Sequence, residues 1–351
     1  MSQPQTVQVV GAGLIGTSIA LGLREHGVDV FIDDVDPDHI RAAVERGAGG
    51  AGHAPEPDIV VVAVPPSDVV ATVNKALDRW PDAVVTDVAS VKSEIAAAVS
   101  GSLEAKRYVG SHPMAGRERS GPVAASARLF EGRPWVLVPL DETLDSAVES
   151  VRDIADLLRA APTVMDASTH DRAVALVSHV PQVLSVLAAA QLASAPEEHV
   201  ALAGQGLRDV TRIAASDPAL WADILASNAS EVGAILRDVR DDLDSVITAL
   251  QDDPALVASV LESGRAGTSV IPGKHGDHPV ALTAVYVVVA DRPRELERVI
   301  ADAGQSGVNI EDLRIQHELG RPAGVVEIYV LPKHADVLVT SLVARGWPAY
   351  R

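Results

Sequence analysis

The chain has 351 residues, with 29 Lys+Arg against 48 Asp+Glu and a formal charge of −19. That length implies two or three domains, and 47% hydrophobic with 22% charged content suits a globular protein with a sizeable core. The absence of Cys excludes disulfides, thiolate metal sites and a cysteine nucleophile, and an acidic chain with Phe 2, Tyr 4 and Trp 4 is poorly suited to nucleic acid.

Val7–Val10, Val28–Ile32, Ile59–Val64, Val84–Asp87 and Tyr108–Gly110 read as strands. Helical spacing of apolar residues separates them, over Ile15–His26, Asp38–Arg46, Ser67–Leu77 and Ser93–Leu103. The strands are continuous Val/Ile runs, as expected for a parallel sheet buried on both faces. Trp135–Val138 adds a strand and Leu144–Arg159 a helix. Residues 1–165 therefore read as one α/β, Rossmann-like, doubly wound domain.

The texture then becomes helical, over Thr169–Ser194, Glu197–Ala214, Pro218–Asn228, Ser230–Leu250 and Pro254–Glu262. Residues 166–264 read as an all-α domain. Residues 265–278, rich in Gly, Pro and His, read as a linker. Residues 279–351 return to a small α+β pattern: strand Ala281–Ala290, helix Pro293–Ala303, strands Val308–His317 and Gly324–Leu331, helix Ala335–Arg345. No apolar run approaches the ~18 residues of a membrane helix, and Met1–Gly13 lacks the pattern of a signal peptide. The cytoplasm is the expected location, with no membrane partner and no metal.

Gly11-Ala12-Gly13-Leu14-Ile15-Gly16 follows the first strand and opens the first helix. In a dinucleotide fingerprint, Gly11 allows the tight turn, Gly13 the approach of backbone to pyrophosphate, and Gly16 close helix–strand packing. Leu14 and Ile15 start the helix whose N–H groups and dipole favour phosphate. Asp33 and Asp34 end the second strand, and either could hold the adenosine ribose. Two carboxylates without a nearby Arg favour NAD over NADP.

Ligands of such sheets sit beyond the carboxyl ends of the strands. Val64-Pro65-Pro66 there borders the cofactor or forms a plain turn. Ser90, after the next strand, fits either a hydrogen bond to substrate or to an imidazole, or a helix cap. His112, on the loop expected at Gly110–Gly116, is a candidate general base, since its ordinary pKa of about 6.5 suits taking a hydroxyl proton as hydride leaves. The stretch Lys92–Arg133 holds seven Lys+Arg against four Asp+Glu, a local net charge of +3. Arg117 and Arg119 follow His112 closely, and Arg is suited to carboxylate recognition.

GAGLIG, DVASVKSE, GSHPMAGRERSG, THDRAVALVSHVPQ and GLRDVTRIAASDPALWADIL, in this order, resemble the prephenate/arogenate dehydrogenases of tyrosine biosynthesis. Asp291-Arg292-Pro293 with Gly307–Asp312 resembles an ACT domain. The resemblance implies an NAD-dependent oxidative decarboxylation and a homodimer built through the helical domain. It implies that His112 is the catalytic base and that Ser90 orients it. It also implies that Arg212 binds a substrate carboxylate, that His179 and the His170-Asp171 pair belong to the site, and that Trp221 borders the pocket.

Many relatives carry a His where this chain has Gln182, a position implied to face the substrate side chain. A neutral amide cannot pair with the ammonium of arogenate, which favours prephenate. Tyrosine is an expected effector, through the ACT-like tail or by competing at the active site; Arg294 in place of the usual Gly weakens the case for binding in the tail, which could instead serve in assembly. A β-hydroxyacid-type dehydrogenase is disfavoured because residues 166–261 contain no Lys. A non-catalytic NAD or amino-acid sensor is disfavoured by Ser90, His112 and Arg212 together.

Overall fold

The computed structural model describes residues 4–116, 121–271, 281–317 and 323–351. It divides into two compact units, residues 1–241 and 242–351, with the boundary inside the helix Ala229–Asp252. The division falls within the segment read as one helical domain.

The first unit is built on an eight-stranded sheet. Its strands are β1 (Thr6–Val10), β2 (Asp29–Asp33), β3 (Gly50–Ala51), β4 (Ile59–Val62), β5 (Val84–Asp87), β6 (Tyr108–Pro113), β7 (Pro134–Pro139) and β8 (Ala161–Val164). The order is β3-β2-β1-β4-β5-β6-β7-β8. All neighbours are parallel except β6 and β7. Central strands are apolar because helices cover both faces. One face packs Val7, Val9, Ile19, Leu23, Ile32, Trp135 and Ile154, and the other Val60, Val62, Val73, Trp80, Val85 and Tyr108.

Three expectations need correction here. His112 lies within β6 rather than on a loop, because antiparallel pairing with β7 (His112 opposite Val136) extends the strand to Pro113. The helix expected over Ser93–Leu103 ends at Val99, and Gly101 follows with a left-handed φ of 82°. The helix expected over Glu197–Ala214 breaks into Glu197–Val200, Gln205–Thr211 and a 3-10 turn at Arg212–Ala215. Gly204 and Gly206 lower helix propensity at the break.

Two of the seven basic residues of Lys92–Arg133 are drawn into the interior. Lys92 is 1% exposed and ion-paired with Asp87. Arg107 is buried, and its guanidinium donates to the carbonyls of Leu77, Trp80 and Ala83 at 2.6–3.1 Å. It thereby closes the end of the helix Pro66–Arg79 and the turn into β5. Arg117 and Arg119 lie outside the described residues.

Helix Ala167–Ala190 has no uninterrupted apolar run of the ~18 residues of a membrane helix, but its average composition is that of a longer apolar segment. It is long and apolar enough to cross a membrane by length and composition, with a mean hydropathy of 1.8 over 18 residues. Its two sides differ. His170, Asp171, His179 and Gln182 are buried within the unit, whereas Leu176, Val177, Leu184, Val186 and Leu187 are exposed.

In the second unit, helix Pro254–Thr268 takes in the first four residues of the expected linker, and residues 272–278 lie outside the described ones. Strands β9 (Thr283–Ala290), β10 (Asp312–His317), β11 (Ala323–Val330) and β12 (Ala349–Tyr350) form an antiparallel sheet of order β10-β11-β9-β12. Helices Glu295–Gly304 and Pro332–Ala344 supply Val299, Leu338 and Leu342, which pack with Val285, Val287, Val326, Ile328 and Trp347. The short β12 was not legible in advance; it pairs only through Ala349 and Tyr350.

Candidate active site

The Gly-rich turn joins β1 to helix Leu14–Glu25. Gly11 has φ 108°, and a Cβ there would lie 2.3 Å from the Ala63 carbonyl oxygen. A Cβ on Gly16 would lie 2.0 Å from the Gly11 oxygen. Gly13 differs: a Cβ there would meet nothing within 4 Å. The first two glycines are thus required by the fold itself, while Gly13 opens onto free space at the helix start, with Leu14 and Ile15 half-buried behind it. That helix has no acidic residue in its first turn, so its dipole is available to an anion.

Asp33 and Asp34 separate in space. Asp34 accepts from the Ala12 N–H at 2.5 Å and the Asp36 N–H at 2.8 Å, which fixes its carboxylate against the Gly-rich turn. Asp33 turns toward His53, 3.8 Å away. Val64 is half-buried, and Pro65 caps the helix Pro66–Arg79. The open Gly13, the helix start and the fixed Asp34 together fit a dinucleotide with free ribose hydroxyls.

Beyond β5 and β6 lies a second set of polar groups. His112 is half-buried, and its Nδ1 lies 2.9 Å from Nε2 of His170. His170 Nδ1 lies 2.8 Å from Asp171 Oδ1. Asp171 also accepts from the backbone N–H groups of Lys92 (2.8 Å) and Ser93 (2.7 Å), at the start of helix Ser93–Val99. Asn228 donates to the Asp171 carbonyl at 2.8 Å and faces His179 Nδ1 at 3.1 Å. His179 meets the half-buried Trp221 edge-on, with centroids 6.1 Å apart. Gln182 donates to the Ile213 carbonyl at 3.0 Å, in the 3-10 turn that carries the exposed Arg212. One set of contacts therefore runs from His112 through His170, Asp171, Asn228 and His179 to Trp221, and a second joins Gln182 to the Arg212 turn. Both include residues of helix Ala167–Ala190 and lie within the first unit.

A π-helical turn at Ala175–His179 makes this alignment possible. At about 100° per residue, an α-helix would put His170 and His179 on opposite sides. The π turn absorbs one extra residue, which brings His179 to roughly 80° and Gln182 to roughly 20° from His170. His170, Asp171, His179 and Gln182 are all at most 3% exposed as a result.

Burial holds the His112 pKa well below 6.5, with the charges of His170, Lys92 and His179 acting in the same direction and Asp171 against them. Burial likewise lowers His179 to about 4. Both imidazoles are neutral at pH 7. No hydrogen bond among the described residues joins Ser90 to His112. His112 instead meets the His170–Asp171 pair, which the sequence flagged without a contact because 58 residues separate the two histidines.

Asp87, Lys92 and Tyr108 form a support that sequence reasoning missed. The Lys92 ammonium and the Tyr108 hydroxyl both donate to Asp87, and all three residues are at most 1% exposed. The available signal was an Asp closing an apolar strand with a Lys five positions on.

A doubly wound sheet with a dinucleotide cradle, joined to helices that bring histidines and an arginine beyond its strand ends, defines a nicotinamide-dependent dehydrogenase. Models of the prephenate dehydrogenase nucleotide-binding and dimerisation domains match residues 19–164 and 166–259. The Probable prephenate dehydrogenase NovF of Streptomyces niveus is 35% identical, covering 98% of this chain and 99% of its own. Prephenate dehydrogenase from A. aeolicus, solved with hydroxyphenyl propionate and NAD+, superimposes with TM-score 0.69 at 27% identity, over 77% of this chain and 99% of that one. Synechocystis arogenate dehydrogenase gives TM-score 0.63 at 28% identity, over 76% and 100%. The chain belongs to the prephenate dehydrogenase family and binds NAD.

Removing one partner of a buried ion pair leaves an uncompensated charge. Lys92→Met is therefore expected to lower unfolding stability by about 3–5 kcal/mol. Adding Asp87→Leu should recover part of that loss in urea titrations.

Proposed function

We propose that the chain oxidises and decarboxylates prephenate, using NAD, to give 4-hydroxyphenylpyruvate and CO2. The observation that carries this reading is that His112, on the sheet that bears the dinucleotide cradle, meets the buried His170–Asp171 pair of the helix that also holds His179 and Gln182. Gly11, Gly13 and Gly16 with the start of helix Leu14–Glu25 would hold the pyrophosphate, and Asp34 the adenosine ribose. When bound, NAD accepts the hydride from the ring carbon that bears the substrate hydroxyl. Neutral His112 takes the hydroxyl proton, and loss of the ring carboxylate completes an aromatic ring. Arg212 is suited to a substrate carboxylate, and His179, Gln182 and Trp221 form the adjoining wall. Ser90 lies half-buried on the loop leading into helix Ser93–Val99 and is proposed to orient the substrate hydroxyl.

Neutral Gln182 and neutral His179 support prephenate over arogenate, whose ammonium would call for a carboxylate. The exposed apolar side of helix Ala167–Ala190, within the dimerisation-domain match, supports a homodimer. We read the tail as ACT-like from its strand–helix–strand–strand–helix–strand connectivity and its order β10-β11-β9-β12. Arg294 there sits at φ 76° as the cap of helix Glu295–Gly304, whose first turn carries Glu295 and Glu297. Those carboxylates disfavour an amino-acid carboxylate at the helix start, so tyrosine, which resembles the product, is proposed to act at the active site.

Initial rates with prephenate and arogenate, each with NAD and NADP, should be highest for prephenate with NAD. No NADH from either substrate would overturn the reading. His112→Asn should lower kcat by about 10²–10⁴-fold, the size of a lost acid–base group. Because His112 works in its neutral form and its pKa is depressed, falling pH protonates it only below the ordinary imidazole range. The acidic limb of kcat/KM should therefore lie below pH 6.5; a limb at or above that value would count against His112. Tyrosine should raise the apparent KM for prephenate and leave kcat unchanged in steady-state assays.

A further inference from the structure

Asp171 accepts three hydrogen bonds from its surroundings: from the backbone N–H groups of Lys92 and Ser93, and from His170 Nδ1. The two backbone groups can only donate, so the carboxyl is held as its anion. Burial pushes its pKa up, but the hydrogen bonds from His170, Ser93 and Lys92 outweigh it and leave the net value below the ordinary range. A carboxylate can only accept, so His170 carries its proton on Nδ1.

When neutral, His170 presents only a lone pair at Nε2. In that state the 2.9 Å contact with His112 Nδ1 requires a proton between the two nitrogens, and His112 supplies it. With its proton on Nδ1, His112 keeps a lone pair on Nε2. The two rings meet edge-on, centroids 5.1 Å apart and planes at 71°, so the second ring limits rotation of the first.

We propose that His170 and Asp171 are positioning residues that set the tautomer of His112, leaving Nε2 as the atom that takes the substrate proton. This rests on the reading of His112 as the base. The relay runs through an element boundary. The carboxylate that orients His170 also receives the first N–H groups of helix Ser93–Val99, so the loop after β5 and the helix Ala167–Ala190 are locked by the same group. Besides Asp171, the charged and titratable groups facing His112 are His170, Lys92 and His179.

The test uses the full-length protein. Nitrogen-15 spectra of the histidine rings, with His112→Asn to assign the signals, should show His112 protonated on Nδ1 and bare on Nε2 at pH 8. Asp171→Asn, which keeps the side-chain shape but loses the charge, should lower kcat about 10²–10⁴-fold, as loss of a tautomer-setting carboxylate does. Its KM for prephenate should stay within about threefold, the mark of an interaction that acts on the reaction step. The acidic limb should also move to lower pH, because Asp171 is the charge that raises the His112 pKa. A purely structural role would lower the amount of active enzyme and leave the limb in place.

A wild-type spectrum with the proton on Nε2 overturns the proposal, and so does an Asp171→Asn enzyme with unchanged kcat. Should Asp171→Asn fail to fold, the wild-type spectrum decides alone. A wild type with the expected tautomer and no turnover of prephenate would instead sink the functional reading and leave the tautomer assignment standing.

Discussion

One buried carboxylate ties the catalytic region together. Asp171 lies on a helix that follows the sheet, yet it receives the backbone N–H groups that open helix Ser93–Val99 beyond β5. The same oxygens accept from His170, and His170 meets His112 on β6. Helix capping and imidazole orientation are thus properties of one group. A carboxylate this deep in the fold is tolerable because hydrogen-bond donors surround it.

The helix that carries Asp171 has two sides with opposite demands. One holds His170, Asp171, His179 and Gln182 in the unit's interior, and the other exposes Leu176, Val177, Leu184 and Leu187. A regular helix could not keep the polar residues together over this spacing. The π turn resolves the conflict by absorbing one residue. It also explains why the polar residues are spaced unlike a simple amphipathic stripe.

Charge is distributed by the same logic. Lys92 and Arg107 are drawn into the interior, one to balance Asp87 and the other to satisfy carbonyls at a helix end. These two cations are thereby removed from the acidic exterior. Arg212 lies on an exposed 3-10 turn. The second unit has its own core and its own sheet, and its helix Glu295–Gly304 opens with carboxylates rather than an anion-binding turn.

Much of this was legible in advance. The Val/Ile runs, the Gly-rich turn and the alternation of elements determined a doubly wound sheet with a dinucleotide cradle, because burial on both faces and close backbone approach restrict residue type locally. The ordered motifs determined the family and singled out His112, His179 and Arg212. Tertiary structure alone decided which groups touch. It placed His112 inside a strand, because pairing with β7 comes from residues more than twenty positions away. It separated Asp34 from Asp33, turned Lys92 and Arg107 inward, and joined His112 to His170 across 58 residues. Periodicity reports which side of an element is apolar; it carries no information on which distant polar group will satisfy a buried one. That choice depends on desolvation and hydrogen-bond geometry, which exist only once the chain has folded.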